Sequence, residues 1–428
     1  MRKLLLPFCI AAAIYAQPQQ SPPAMHLTLA QAEQQAAQSN PQLAGARLQA
    51  AAAYQVPAQY RAAYSPNLYG AVTTVGADSG SRLAAGALNN PSVYNRAASG
   101  LILNQMITDF GRTGNLVGMA RFQAQAQDQV TETTKARILL AASQAYFAVL
   151  HAQAVVKVAD ETVNARQLVV DQVSALVASK LKSDLDLSFA KVNLADSKLL
   201  QTQAYSDVKS AFAQLATIMG LPNQTTFTLD EEPMPAEMND RVDPLIQEAI
   251  QNRPELKDLQ LQQSAAQRFA RAEHDLYFPS VGVIAGAGFA PAADPAITSR
   301  YGAIGLNITV PIFNGGLFKA RSAEADLKAQ AASKDITDEQ NRVIRDVRVA
   351  YLNATTAYDK LGLTKQLLDQ AALALDLAKR RYDIGLGSMV ELSQAQLNLT
   401  SAQLTDVSAK YDYQSQRVAL EYQTGNLH

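Results

Sequence analysis

From Phe313 to Gly425 the chain runs for more than a hundred residues without a proline, and the pattern inside that stretch leaves few folds open. Val347, Ala354, Leu361, Leu368, Leu375 and Tyr382 recur every seven residues. Val343, Ala350, Ala357, Thr364, Ala371 and Ala378 stand four residues before each of them. A seven-residue apolar repeat is the period of a coiled coil. The seam breaks once, at Ile384-Gly385-Leu386-Gly387-Ser388. At 1.5 Å per residue a helix over 316–382 is about 100 Å long, more than a globular domain needs. The Gly-x-Gly then lets the chain reverse into a second helix over 389–425, so the stretch predicts a two-helix arm.

At the other end, Met1-Arg2-Lys3 precedes an apolar run from Leu4 to Ile14, the small residue Ala16 and a Gln/Pro-rich stretch. This is the layout of a secretory leader over 1–16, too short to span a membrane, followed by a linker over 17–26. Cys9 is the chain's one cysteine, and Pro7-Phe8 are not the small residues that a lipoprotein cleavage site needs before it. No lipid anchor and no disulfide chemistry are expected. A net charge of −1 with 18% charged residues argues against a polyanion-binding surface, hence against nucleic acid. No later stretch is uniformly apolar for the length of a membrane-spanning helix, so none is expected.

The chain is also duplicated. Arg137, Tyr146, Ser183, Ser188, Asn193, Leu215 and Gly220 recur as Arg342, Tyr351, Ser388, Ser393, Asn398, Leu420 and Gly425, each 205 residues later. Upstream, Asn40-Pro41 matches Arg253-Pro254 and Pro66 matches Pro279 at a spacing of 213, which puts an insertion between Pro66 and Asp109, near Asp78-Ser79-Gly80 and Asn89-Asn90-Pro91. The first repeat covers 27–220, with strands over 66–77 and 97–108 and long helices over 112–177 and 186–219. The second covers 244–428, with strands over 280–290 and 301–312 and long helices over 316–382 and 389–425. A helix of about 35 residues opens each repeat. The proline-rich segment 221–243 predicts a non-helical connector whose acids, Asp230, Glu231 and Glu232, form a solvated face.

The short runs before the long helices have a period of two. Ile304, Leu306, Ile308, Val310 and Ile312 alternate with Ala303, Gly305, Asn307 and Thr309, and Val281, Val283, Ala285, Ala287 and Phe289 alternate with small residues such as Gly282 and Gly286. In the first repeat Leu101, Leu103 and Ile107 keep the pattern, whereas Gln105 blurs it. The runs are long enough to cross a bilayer as tilted strands. Tyr64, Tyr69, Tyr94, Tyr277, Phe278, Phe289, Tyr301 and Phe313 crowd their ends as an interfacial girdle would. Four strands cannot close a barrel, and an open edge is not viable in lipid, so the barrel must be shared between subunits. Two chains would give eight strands, and three would give twelve with room for a channel, which the glycines favour.

With the junction Pro311-Ile312-Phe313-Asn314-Gly315-Gly316 and the tip Tyr382-Asp383-Ile384-Gly385-Leu386-Gly387-Ser388-Met389-Val390-Glu391-Leu392, the chain resembles the TolC-like outer-membrane efflux family over nearly all of its length past the leader. The resemblance implies a homotrimer in which a twelve-stranded transmembrane β-barrel continues into a periplasmic tunnel of α-helical coiled coils. It implies an exit duct for small molecules or proteins, working with a periplasmic adaptor and an inner-membrane transporter of the RND, ABC or MFS type. Glu391 matches the first acid of an entrance selectivity ring, and Gln394 stands where the best-known members have a second. Tyr382 and Asp186 match residues that link neighbouring coils in the closed entrance, whereas Gly387 replaces an arginine. Ile384, Gly385, Leu386, Gly387 and Ser388 are the candidates for adaptor docking, since Lys180-Leu181-Lys182-Ser183 replaces the Gly-x-Gly turn in the first repeat. Arg380 and Arg381 are read as offsetting the helix dipole. His26, His151, His274 and His428 have no metal-ligand spacing, so neither enzyme activity nor a cofactor is expected. The other reading of the helices is a non-conducting periplasmic or surface coiled-coil scaffold or adhesin.

Overall fold

The computed structural model describes residues 25–76, 96–222, 227–238, 241–291 and 298–427. The leader, Cys9, most of the linker, the insertion residues Asp78-Ser79-Gly80 and Asn89-Asn90-Pro91, Tyr94 and His428 lie outside the described residues. In chain order, strand β1 (Met25–Leu27) leads into helices α1 (Leu29–Ser39), α2 (Pro41–Ala53) and α3 (Val56–Arg61). Strands β2 (Asn67–Val75) and β3 (Arg96–Thr108) follow, then the long helices α4 (Arg112–Ala178) and α5 (Asp184–Ile218). After β4 (Phe227–Leu229) the order recurs as α6 (Asp243–Asn252), α7 (Pro254–His274), β5 (Ser280–Phe289), β6 (Arg300–Thr309), α8 (Leu317–Asp383) and α9 (Met389–Thr424). Helices α4 and α8 are 67 residues each.

The helix that opens each repeat is not continuous. It breaks before Pro41 and Pro254, because a residue preceding proline is pushed out of the helical region. Asn40 and Arg253 both sit in extended backbone, with ψ of 123° and 124°. Asn40 then caps α2, its side chain accepting the Gln42 N–H at 2.8 Å. The connector also differs from a bare solvated loop, for β4 pairs in parallel with β1. Its acids are partly engaged: Glu232 accepts the Leu29 N–H at 3.2 Å, and Glu231 pairs with Lys410 at 3.3 Å.

The duplication is visible in how the repeats close. Gly220 and Gly425 end the returning helices with φ of +72° and +76°, the left-handed position that glycine fills without strain. A Cβ on Gly220 would collide with Ser39, and one on Gly425 would press on Asn252 and Arg253 at 3.1 to 3.2 Å. Ser39 and Asn252 are themselves repeat mates. The heptad seam of α8 faces inward: Val343, Val347, Ala350, Ala354, Ala357, Thr364, Ala371, Ala378 and Tyr382 are all buried.

The main core gathers where the long helices pass the β1–β4 pair, around Tyr146, Phe147, Leu150, Phe212, Leu215 and Phe227. The Tyr146 hydroxyl donates to Leu27 O at 3.0 Å and Asp230 O at 2.7 Å, tying α4 to both short strands. Burial, with Glu232 nearby, pushes this phenol up to about 12. Within α4 an 18-residue window is apolar enough on average, by length and composition alone, to cross a membrane, and 56% of it is buried inside the protein, as the core of a helical body is.

Candidate functional site

The four long strands form one antiparallel sheet in the order β2-β3-β5-β6. Its register decides which side chains share a face, since directly paired residues point the same way. Ile308 pairs with Val281, Leu306 with Val283 and Ile304 with Ala285; Ala285 pairs in turn with Leu103, and Leu103 with Leu68. One face is therefore apolar across all four strands. On the other face, Asn307 pairs with Gly282, Gly305 with Ile284 and Ala303 with Gly286, so that side is small and mixed. An apolar face on bilayer-length strands is what a barrel turns to lipid.

Two details depart from the sequence pattern. Gln105 lies in register on the apolar face opposite Val283, but the ladder slips between Met106 and Thr108, so Ile107 falls in a bulge. The Gln105 amide meanwhile donates to Tyr64 O and Met106 O, which satisfies it at the foot of the strand. The girdle is also thinner than expected, because Tyr69 and Tyr301 lie on the mixed face. Tyr69 accepts the Asn104 amide at 2.8 Å, and the Tyr301 ring lies over Gly100 and Gly288.

At the far end of the long helices the two hairpins α4–α5 and α8–α9 meet. In the second, Gly385 takes φ +80°, and the N–H groups of Leu386 and Gly387 return to Arg381 O at 2.8 and 2.9 Å. Ser388 then caps α9 by accepting the Glu391 N–H at 3.1 Å. Ile384 and Leu386 stay 70% and 69% exposed, an apolar point at the end of the arm. In the first hairpin Lys180, the repeat mate of Gly385, is held at φ +60°, a conformation that is strained for a side-chain-bearing residue.

The sequence-predicted entrance residues fall into two settings. Glu391 and Gln394 share an exposed face of α9, with Gln394 bonded to Asn398 at 2.9 Å. Tyr382 is buried among Val170, Val173, Ala190, Leu194, Met389 and Leu392. Its hydroxyl is a buried atom with no hydrogen-bond partner among the described residues. Burial raises its pKa, and the charges of Asp186 and Asp383 add to the effect. Asp186 spends its carboxylate on Ser183, accepting the N–H at 3.2 Å and the hydroxyl at 2.9 Å. Tyr382 and Asp186 are thus close enough to interact electrostatically but are not hydrogen-bonded within the chain.

Sequence reasoning missed two basic residues here. Arg381 does more than offset a dipole: it forms an ion pair with Glu391 across the turn at 3.1 Å. Lys182 places its ammonium over the Tyr382 ring. The first carried no signal of its own in the sequence, because the ten-residue spacing becomes a contact only once the turn folds back.

The outer membrane efflux protein model matches residues 32–221 and 245–426, one block for each repeat. The chain belongs to the outer membrane efflux protein family. It is 24% identical to outer membrane protein TolC of Escherichia coli over 416 residues, covering 93% of this chain and 82% of that protein. The fold is that of the outer membrane protein VceC from Vibrio cholerae, with a TM-score of 0.77 at 20% identity, covering 93% of this chain and 96% of the other. The Campylobacter jejuni CmeC outer membrane channel gives a TM-score of 0.76 at 17% identity over 99% of this chain and 94% of its own. As a member of the family, the protein is a non-enzymatic efflux channel of the outer membrane that extends into the periplasm, of the kind that serves tripartite efflux and type I secretion systems. TolC-like channels form trimers and act in tripartite pumps. This family membership sets aside the non-conducting scaffold.

Proposed function

We propose that this chain works as a homotrimeric exit duct whose entrance is built from the two hairpin tips, and whose partners are a periplasmic adaptor and an inner-membrane transporter. The observation that carries the reading is the sheet: four strands with an apolar face across all of them, ending in β2 and β6 as unpaired edges among the described residues. Unpaired edges in lipid leave backbone groups without partners, so the edges must join those of neighbouring copies. Three copies make twelve strands, enough to enclose a channel rather than a filled core.

At the entrance, Glu391 and Gln394 supply the polar face of α9, while Tyr382 and Asp186 sit where neighbouring coils meet. The buried, unpartnered Tyr382 hydroxyl supports a gating role, since burial without a partner costs free energy that a rearrangement of the tip recovers when it brings the group to an acceptor. Ile384 to Ser388 offer the adaptor an exposed apolar turn. Mass measurement of the purified protein in detergent, followed by single-channel recording in planar bilayers, tests the reading. A trimer with a steady conductance is expected. A monomer soluble without detergent, or an absence of channels, overturns it.

A further inference from the structure

Arg381 and Glu391 stand on opposite sides of the α8–α9 turn, and the arginine side chain spans it. Its Nε lies 3.1 Å from Glu391 Oε1, and a terminal nitrogen donates to Leu386 O at 3.3 Å. Gly387 permits this closeness, for a Cβ there would stand 3.0 Å from Tyr382 N and 3.2 Å from Arg381 Cβ. The turn is folded so tightly onto Arg381 that its guanidinium reaches the carboxylate beyond.

The first hairpin treats the matching acid differently. Asp186, the repeat mate of Glu391, turns back to its own N-cap and closes a capping box with Ser183. Leu176 occupies the position of Arg381, so the first hairpin has no counterpart of that arginine. Ser388 still accepts the Glu391 N–H, yet the Glu391 carboxylate does not return the bond and goes to Arg381 instead. The neighbouring Arg380 is engaged separately, with Asp376 at 2.9 Å.

We propose that Arg381 is a specificity-determining residue of the entrance, masking the Glu391 carboxylate inside its own hairpin. A permeating cation then meets an ion pair in place of a bare acid and must compete with Arg381 for the carboxylate. The inference rests on the reading of Glu391 as an entrance residue. The pair is partly exposed, with side-chain accessibilities of 55% and 43%, so it loosens as salt rises and the mask is strongest at low ionic strength.

The test is conductance of the full chain in planar bilayers with La3+ added on the periplasmic side. Arg381→Gln exposes the carboxylate, so La3+ blocks at a concentration about two- to fivefold lower, the factor that corresponds to the coupling of an exposed ion pair. The reversal potential moves toward that of the cation, and Arg381→Lys returns the block to the wild-type range. Glu391→Gln weakens the block, and the double variant Arg381→Gln/Glu391→Gln behaves as Glu391→Gln alone. Arg381→Met is measured alongside, so that one poorly inserting variant does not decide the result. If both neutral variants block at the wild-type concentration while Glu391→Gln weakens the block, Arg381 masks nothing and the inference fails while the entrance reading stands. If Glu391→Gln leaves the block unchanged, the entrance reading itself falls.

Discussion

The Lys182 ammonium lies 4.1 Å from the centre of the Tyr382 ring, joining the tip of the first hairpin to the end of the second long helix. Lys182 is the repeat mate of Gly387, the position at which the resemblance to TolC-like channels leads one to look for an arginine. The cation missing from one hairpin is thus supplied from the other, and it acts within a subunit. Its target is the aromatic face, while the Tyr382 hydroxyl stays buried and without a partner among the described residues.

Lys182→Ala is expected to loosen this tie. A cation over an aromatic face at a partly exposed site contributes about 0.5 to 1 kcal/mol, so amide hydrogen exchange at the tip turns should quicken roughly two- to fivefold. Tyr382→Leu removes the same contact, and the double variant should exchange no faster than the worse single one through this route. Fully additive effects in that cycle would show that Lys182 and Tyr382 do not interact.

For the sheet, Ile308→Arg places a cation on the apolar face, where the cost at the bilayer midplane is about 2 to 4 kcal/mol. Asn307→Arg puts the same charge on the opposite face, where water reaches it. Outer-membrane insertion should fall strongly for the first and mildly for the second. Equal losses in both would mean that the register of β5 against β6 does not define a lipid side.

Much of this architecture was legible because long-range order in the chain is periodic. The heptad from Val343 to Tyr382 and the alternation from Ile304 to Ile308 each repeat a single local rule, and the 205-residue repeat lets one hairpin be read from the other. What escaped the reading depends on three-dimensional meetings that leave no period. The β1–β4 pair unites segments about 200 residues apart that are too short to show alternation. The ring of Tyr301 crosses from β6 toward Gly288 and Gly100 on two neighbouring strands, a meeting that depends on sheet order and register. At the entrance, residue types were legible but pairings were not. Arg381 reaches Glu391 only because the turn between them folds back on itself, and sequence spacing does not reveal that.

His151 adds a pH dependence to the helical body. It sits on α4 with its Nε2 3.1 Å from the Ser408 hydroxyl and its ring edge-on to Tyr411, and burial lowers its pKa below the usual 6.5. Above the unfolded-state pKa the imidazole is neutral in both states. As pH falls through it, the unfolded chain takes up the proton first, so stability is lost until the folded-state pKa is passed. The wild type should therefore melt at a lower temperature at about pH 5 than at about pH 8, and His151→Gln should narrow that gap. An unchanged gap would place the sensitivity elsewhere, for example at carboxylates.

The glycine face yields the sharpest double-variant test. Gly100 and Gly288 are directly paired across β3 and β5, and Tyr301 pairs with Gly288 from β6, so its ring crosses both glycines. A Cβ on Gly100 would overlap the Tyr301 hydroxyl, the next nearest atoms being Ala287 O at 3.0 Å and Tyr301 Cζ at 3.3 Å. A Cβ on Gly288 would overlap the Ser99 carbonyl as well. Gly100→Ala should thus lower the yield and melting temperature of the assembled protein, overpacking of this kind costing about 1 to 3 kcal/mol. Tyr301→Phe removes the colliding oxygen, so it should restore much of the loss in the Gly100→Ala background. It should not rescue Gly288→Ala, whose obstacle is backbone that a side-chain change leaves in place. If Tyr301→Phe rescues both variants, or neither, the ring does not lie across these two strands.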